Sequence, residues 1–189
     1  MTVSPASPSA LGSTVTASPT SLVAGSSGTT TLTVQARDQY GNAVPTSSSA
    51  GTITFDSLPA GSGSIGTVTD NNNGTYTVTY TAGTNAGNIV LTPKLNGVSF
   101  SNPLTFAVLP GSVSLATSTV SVSSASLVAG SGTVNITVQL KDSNGNNLIS
   151  SGGTVTFGNI PAGMGSIGSV TDNGNGTYSA TFTAGTTAG

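Results

Sequence analysis

The chain has 189 residues and a formal net charge of −2, carried by three bases (Arg37, Lys94 and Lys141) and five aspartates; Glu, Cys, His and Trp are absent. Three cations cannot neutralise a run of phosphates, which excludes a nucleic-acid binder and a basic membrane-surface patch. Without Cys and His the chain lacks disulfides, thiolate nucleophiles, the commonest metal ligand and the commonest general base near neutral pH, so catalysis has almost no material.

Met1 to Pro5 has neither the basic start nor the apolar stretch of an export signal, and no apolar run reaches the length of a membrane span. Any export signal is expected outside this sequence. The first periodic run follows Ser21-Leu-Val-Ala-Gly25: Leu32, Val34 and Ala36 alternate with Thr31, Thr33 and Gln35. Period two places side chains on opposite faces of a strand, so one face is apolar and the other is wet. A turn over Asp38 to Asn42 follows, then a strand carrying Ile53 and Phe55. A second turn, Asn71 to Gly74, leads to Tyr76, Val78 and Tyr80, again with Thr between them. Asn and Gly tolerate the positive φ that tight turns need, which makes Gly74 a structural residue. A final hairpin is expected over Asn88 to Val108. It carries Ile89, Leu91 and Leu95 before the Asn96-Gly97 turn, and Phe100, Leu104, Phe106 and Val108 after it.

The second half of the chain repeats the first. GSGSIGTVTDNNNGTYTVTYTAGTNAG at Gly61 to Gly87 recurs as GMGSIGSVTDNGNGTYSATFTAGTTAG at Gly163 to Gly189, with 20 of 27 positions identical. Ser21 to Gly25 returns as Ser126 to Gly130, and Leu32, Val34 and Ala36 return as Ile136, Val138 and Leu140. Asp142 to Asn146 matches the turn at Asp38. Val155 and Phe157 match Ile53 and Phe55, and Tyr178, Ala180 and Phe182 follow the Asn173 to Gly176 turn. A period of 102 to 105 residues means domain-sized repeats. The fold class is therefore all-β: two tandem Greek-key β-sandwiches, the second lacking its final strands.

The ordered set of motifs resembles the bacterial Ig-like domains of the intimin and invasin group. It comprises SLVAG, a strand, an Asp-x-x-Gly-Asn turn, a Thr-Ile-Thr-Phe or Thr-Val-Thr-Phe strand, then Asn-Gly-Thr-Tyr and Thr-Ala-Gly-Thr. The resemblance implies rods of stacked domains on bacterial surfaces, with most copies acting as spacers. It also implies that Tyr76 and Tyr178 occupy the place of the tyrosine corner, with Phe55, Phe157, Gly74 and Gly176 as framework residues.

The domain boundaries read as residues 1–9, the tail of a preceding repeat; 10–110, the first repeat; and 111–189, the second. Met1 to Pro5 overlays Phe106 to Pro110, and nothing follows Gly189 to match Asn88 to Val108. Losing four or five large apolar side chains removes roughly 6–15 kcal/mol, comparable with the whole stability of a domain. The second repeat is thus expected to expose a strand edge at Ser179, Ala180, Thr181, Phe182 and Thr183. Either the sequence is cropped from a longer array, or a strand from a neighbour closes that edge. The donor would then be Met1 to Leu11, with Val3 in the place of Val108, and deleting it should leave the first repeat folded.

Asp38 and Asp142 are calcium candidates, but each loop offers one carboxylate where calcium takes six to eight oxygens, and an Asp bonding its own turn explains both. Asn73, Asn135 and Asn175 head Asn-x-Thr sequons, two of them in turns that want Asn-Gly anyway. Lys94 and Lys141 are isopeptide candidates, but that crosslink needs a buried carboxylate between the partners and Lys141 falls on the polar phase of its strand, so solvated lysines are expected. No cofactor is expected. The chain reads as a non-enzyme: extracellular stalk repeats of an adhesin-like or fibre protein, whose partners are neighbouring repeats. Two alternatives stand beside it, a filament subunit joined head to tail by strand complementation and a module binding a glycan or host receptor.

Overall fold

The computed structural model describes residues 2–45 and 51–187. Met1, the start of the expected donor segment, and Gly189, the last matched residue of the second repeat, lie outside the described residues. The chain divides into two compact units between Leu109 and Pro110.

In the first unit, β1 (Thr14–Ser18), β3 (Thr29–Gln35) and β7 (Thr75–Thr81) run side by side in one layer, with β1 at its edge. The short strands β5 (Ser64–Ile65) and β6 (Thr69–Asp70) lie along the far side of β7. The opposite layer comes in two pieces. One joins β4 (Ile53–Thr54), β9 (Lys94–Leu95) and β10 (Val98–Ser99). The other joins β2 (Ser21–Val23), β11 (Leu104–Leu109) and β8 (Gly87–Leu91), with β2 and β11 parallel and Leu22 opposite Val108.

The alternation seen in the sequence builds the core directly. Leu32, Val78 and Tyr80 meet Ile89, Leu91, Phe106 and Val108 in one cluster, and Val34, Ala36 and Tyr76 meet Ile53, Leu95 and Phe100 in a second. Phe55 is half-buried and packs against both. The Tyr80 and Phe106 rings pack edge to face at 4.8 Å between centroids, a favoured arrangement of aromatic quadrupoles.

The expected single hairpin over Asn88 to Val108 is instead split between two sheets. β8 pairs with β11, while β9 and β10 form their own small hairpin around Asn96-Gly97 beside β4. Pro93, fully buried between β8 and β9, cannot donate to a ladder, and the chain changes sheets there.

The second unit carries β12 (Val113–Val122), β13 (Thr133–Asp142), β14 (Gly165–Ile167), β15 (Thr171–Asp172) and β16 (Thr177–Ala184). They form one sheet in the order β12-β13-β16-β14, with β15 also on β16. Among the described residues its buried cluster is Val138, Leu140, Leu148 and Tyr178, flanked by Val155, Phe157 and Val170.

Two expectations fail here, for separate reasons. Ser179 to Thr183 is not an edge: β16 pairs with β13 on one side and with β14 and β15 on the other. Thr154 to Phe157 is not a strand, and neither is Ser126 to Val128, the counterpart of β2. In the first unit those segments pair with β9 and β11. Among the described residues the second unit has no counterpart of β8 to β11 in an opposite layer, although Val134, Ile136, Val138 and Ala180 on the inner face of its sheet are buried. Leu127, the counterpart of the buried Leu22, is half-buried, and Val128 is 74% exposed where its counterpart Val23 is 43% exposed.

Candidate functional site

The best-built polar site of each repeat lies at the turn after its long second strand. Asp38 follows β3 and Asp142 ends β13, and both side chains are buried, at 0% and 1% exposure. In the first repeat Asp38 Oδ1 accepts the backbone amides of Tyr40 and Asn42, both at 2.9 Å. Its Oδ2 accepts the Asn42 side-chain amide and the backbone amide of Ala6, both at 3.0 Å. The second repeat repeats this arrangement: Asp142 Oδ1 takes the amides of Asn144 and Asn146 at 2.9 Å. Its Oδ2 takes the Asn146 side chain and the Gly111 amide, both at 2.8 Å.

The incoming segment is tied down beside each carboxylate. Ser9 donates its amide to Arg37, Pro8 bridges Asp38, and Ser13 Oγ bonds the Ser9 carbonyl while accepting the Arg37 amide. Ser118 does the same with Ser114 and Lys141. Ala10 is buried in the core and Ser13 beneath the turn. Removing residues 1–11 would therefore strip packing from the first repeat, against the expectation that it would stay folded. Of the proposed donor, Thr2 to Ser4 are exposed, Val3 at 90%. The sequence reading missed Ala6, Gly111, Ser13 and Ser118. Its available signal was the shared Pro-x-x-x-Ser-x-x-x-Ser spacing from Pro5 and Pro110.

Four donors aimed at each carboxylate satisfy its lone pairs and hold it ionised. The Asn42 side chain, helped by the amides of Ala6, Asn42 and Tyr40 against the opposing effect of burial, lowers Asp38 from 3.8 to about 2. Burial pushes Asp142 up, but Asn146 and the amides of Gly111 and Asn144 outweigh it and leave its pKa lowered. A cation would have to displace these donors, and no cluster of three acidic or other ligating side chains exists among the described residues. Folded values below the unfolded ones stabilise the repeats above about pH 4, and that contribution disappears as pH falls through the lowered folded values, about 2 for Asp38. The expected result of an acid titration followed by circular dichroism is stability lost across that window. The double variant Asp38→Asn/Asp142→Asn should be weaker at pH 7 and shallower in its acid dependence; an unchanged slope would assign the titration elsewhere.

Tyr76 and Tyr178 tie distant loops rather than forming a tyrosine corner. Their hydroxyls donate to the carbonyls of Gly51 and Gly153 at 2.7 and 2.6 Å, in each case 25 residues upstream, where a corner bonds a few residues away. Gly74 and Gly176 lie at the foot of the same strands. Their carbonyls accept the Ala36 and Leu140 amides and the side chains of Gln35 and Gln139. Asn73 and Asn175, the sequon residues, hold their turns by accepting both the amide and the hydroxyl of Thr75 and Thr177.

Elsewhere the surface offers little chemistry. An open groove of about 430 Å³ between 53–58 and 63–68 recurs at about 560 Å³ between 155–160 and 165–170. Asp56 is the titratable residue in the first groove, and none lines the second. Lys94 forms an exposed ion pair with Asp56 at 2.7 Å rather than facing a buried carboxylate. Tyr40 is 75% exposed, and the other described aromatic residues are buried or half-buried.

The sequence profile of the family described as Invasin, domain 3, matches residues 9–111 and again 114–189. Among solved structures, InvD of Yersinia pseudotuberculosis is similar at 29% identity and a TM-score of 0.66, over 93% of this chain and 49% of that one. Invasin, a bacterial integrin-binding protein, is 27% identical with a TM-score of 0.64, over 96% of this chain and 36% of that one. FdeC, a broadly conserved Escherichia coli adhesin, is 25% identical with a TM-score of 0.54, over 99% of this chain and 60% of that one. The chain thus spans less than two thirds of each of these solved chains.

Proposed function

The chain belongs to the family described as Invasin, domain 3, and we propose that its two repeats are spacer units in the stalk of an extracellular, adhesin-like bacterial surface protein. The observation that carries this reading is the tandem match of one family to two successive segments. Identical turns, carboxylates and tyrosine ties serve the framework of both repeats. A binding module would be expected to diverge from its neighbour at a recognition surface. The grooves here share their position and neither is lined by two titratable side chains; Tyr40, the exposed aromatic, has Asn144 as its counterpart and is a point at which the two turns differ. Solubility rests on Ser, Thr and Asn facing water from the strands, a surface suited to separating a binding tip from the cell. The absence of paired titratable side chains in either groove supports a non-catalytic role.

The test places a binder of known ligand on beads through one, two or three copies of this chain. Capture reach should rise with copy number, and the chain alone should give no saturable signal on a glycan array or on host cells. A reach that does not grow would overturn the spacer reading. Saturable binding that vanishes in Tyr40→Ala would replace it with a receptor-binding module.

A further inference from the structure

We propose that Asp38 and Asp142 are clamps that fasten the incoming chain to each repeat by holding the first amide after a proline, that of Ala6 or of Gly111. A turn alone needs only one side-chain oxygen. Asx turns form with Asn as readily as with Asp, because one acceptor caps the turn amides. Here Oδ1 performs that task for residues 40 and 42, or 144 and 146. The second oxygen is what only a carboxylate supplies, and in both repeats it takes the Asn side chain together with the incoming amide.

The preceding residue makes that amide the natural target. Pro5 and Pro110 have no N–H and a fixed φ, so Ala6 and Gly111 present the first donors of a stiffened approach. The bond is charge-assisted and its acceptor is buried, which makes it stronger than a neutral surface bond. Its duplication across two repeats, on different residue types at the donor position, shows that the backbone rather than the side chain is held. Tension arriving through the incoming segment is then delivered to a buried carboxylate and its turn, ahead of the β12 ladder. The clamp stands apart from the spacer reading, because it is read from one amide in the isolated protein and not from reach or adhesion.

The test is Asp142→Asn in the 189-residue protein, followed by amide hydrogen exchange and ¹⁵N relaxation at neutral pH. Asn keeps the Oδ1 cap but turns an N–H₂ toward the donors of the second oxygen. Exchange at Gly111 should rise roughly ten-fold or more, and its order parameter should fall, while Asn144 and Asn146 change far less. Asp38→Asn should do the same to Ala6 and spare Tyr40 and Asn42. If a general loss of stability speeds all amides together, the order parameter still decides, since it reports the folded state. An unchanged order parameter at Gly111, or equal mobilisation of residues 144 and 146, would overturn the clamp.

Discussion

A second copy of Asn88 to Leu109 appended after Gly189 should stabilise the second repeat by several kcal/mol and give it a cooperative unfolding transition close to that of the first. In the first repeat this segment buries Ile89, Leu91, Leu95, Phe100, Phe106 and Val108. At ~1.5–3 kcal/mol per large apolar side chain, six of them set an upper bound of roughly 9–18 kcal/mol, reduced because the unfolded chain already hides some apolar area. The ladder gains as well: the appended Ala-Val-Leu should lie parallel to Ser126-Leu127-Val128, as Ala107 to Leu109 lie beside Ser21 to Val23. Calorimetry of the 189-residue and extended proteins makes the comparison, with hydrogen exchange at Leu127 and Val128 as the local reporter. Changing the appended counterpart of Val108 to Asp should abolish the gain, because an unpaired charge would enter the core. A second-repeat transition that does not move on extension would show that the inner face of the sheet is not the acceptor.

Gly74→Ala should cost on the order of 3–5 kcal/mol and largely unfold the first repeat, while Gly41→Ala should cost only about 1 kcal/mol. The two glycines have nearly the same backbone, with φ of +82° and +85°. They differ in their surroundings: a methyl on Gly74 would lie 1.6 Å from the Val44 carbonyl oxygen, whereas nothing lies within 4 Å of one on Gly41. Val44 and Gly74 both bond Ala36, so neither can retreat without breaking the end of β3. Gly176 and Gly145 form the same pair in the second repeat, with Leu148 oxygen 2.2 Å from the added methyl on Gly176 and open space at Gly145. Urea unfolding of the four variants separates left-handed backbone strain, common to all, from the close approach peculiar to two. Equal losses at Gly74 and Gly41 would remove the packing explanation.

The sequence by itself determined the repeat, the β class, the membership of each strand face and the turn positions. Period two is a local property, and it holds in β3, β7, β13 and β16, which bury the residues expected of them apart from the half-buried Phe182; the ten-residue β12, largely exposed, does not show it. Tertiary structure decided what lies beside what. Alternation says which side chains share a face but not which strand flanks which, and two-residue strands such as β5, β6 and β15 are too short to carry a period. For that reason Ser179 to Thr183 looked like an edge when it is the middle of a sheet, and the final hairpin looked single when Pro93 splits it between sheets. The carboxylate clamps were hidden for a related reason. Asp38 and Asp142 were visible as turn residues, but their decisive partners are the backbone amides of Ala6 and Gly111, about thirty positions upstream. Every residue except proline carries such an amide, so only the fold can single out the one that is held.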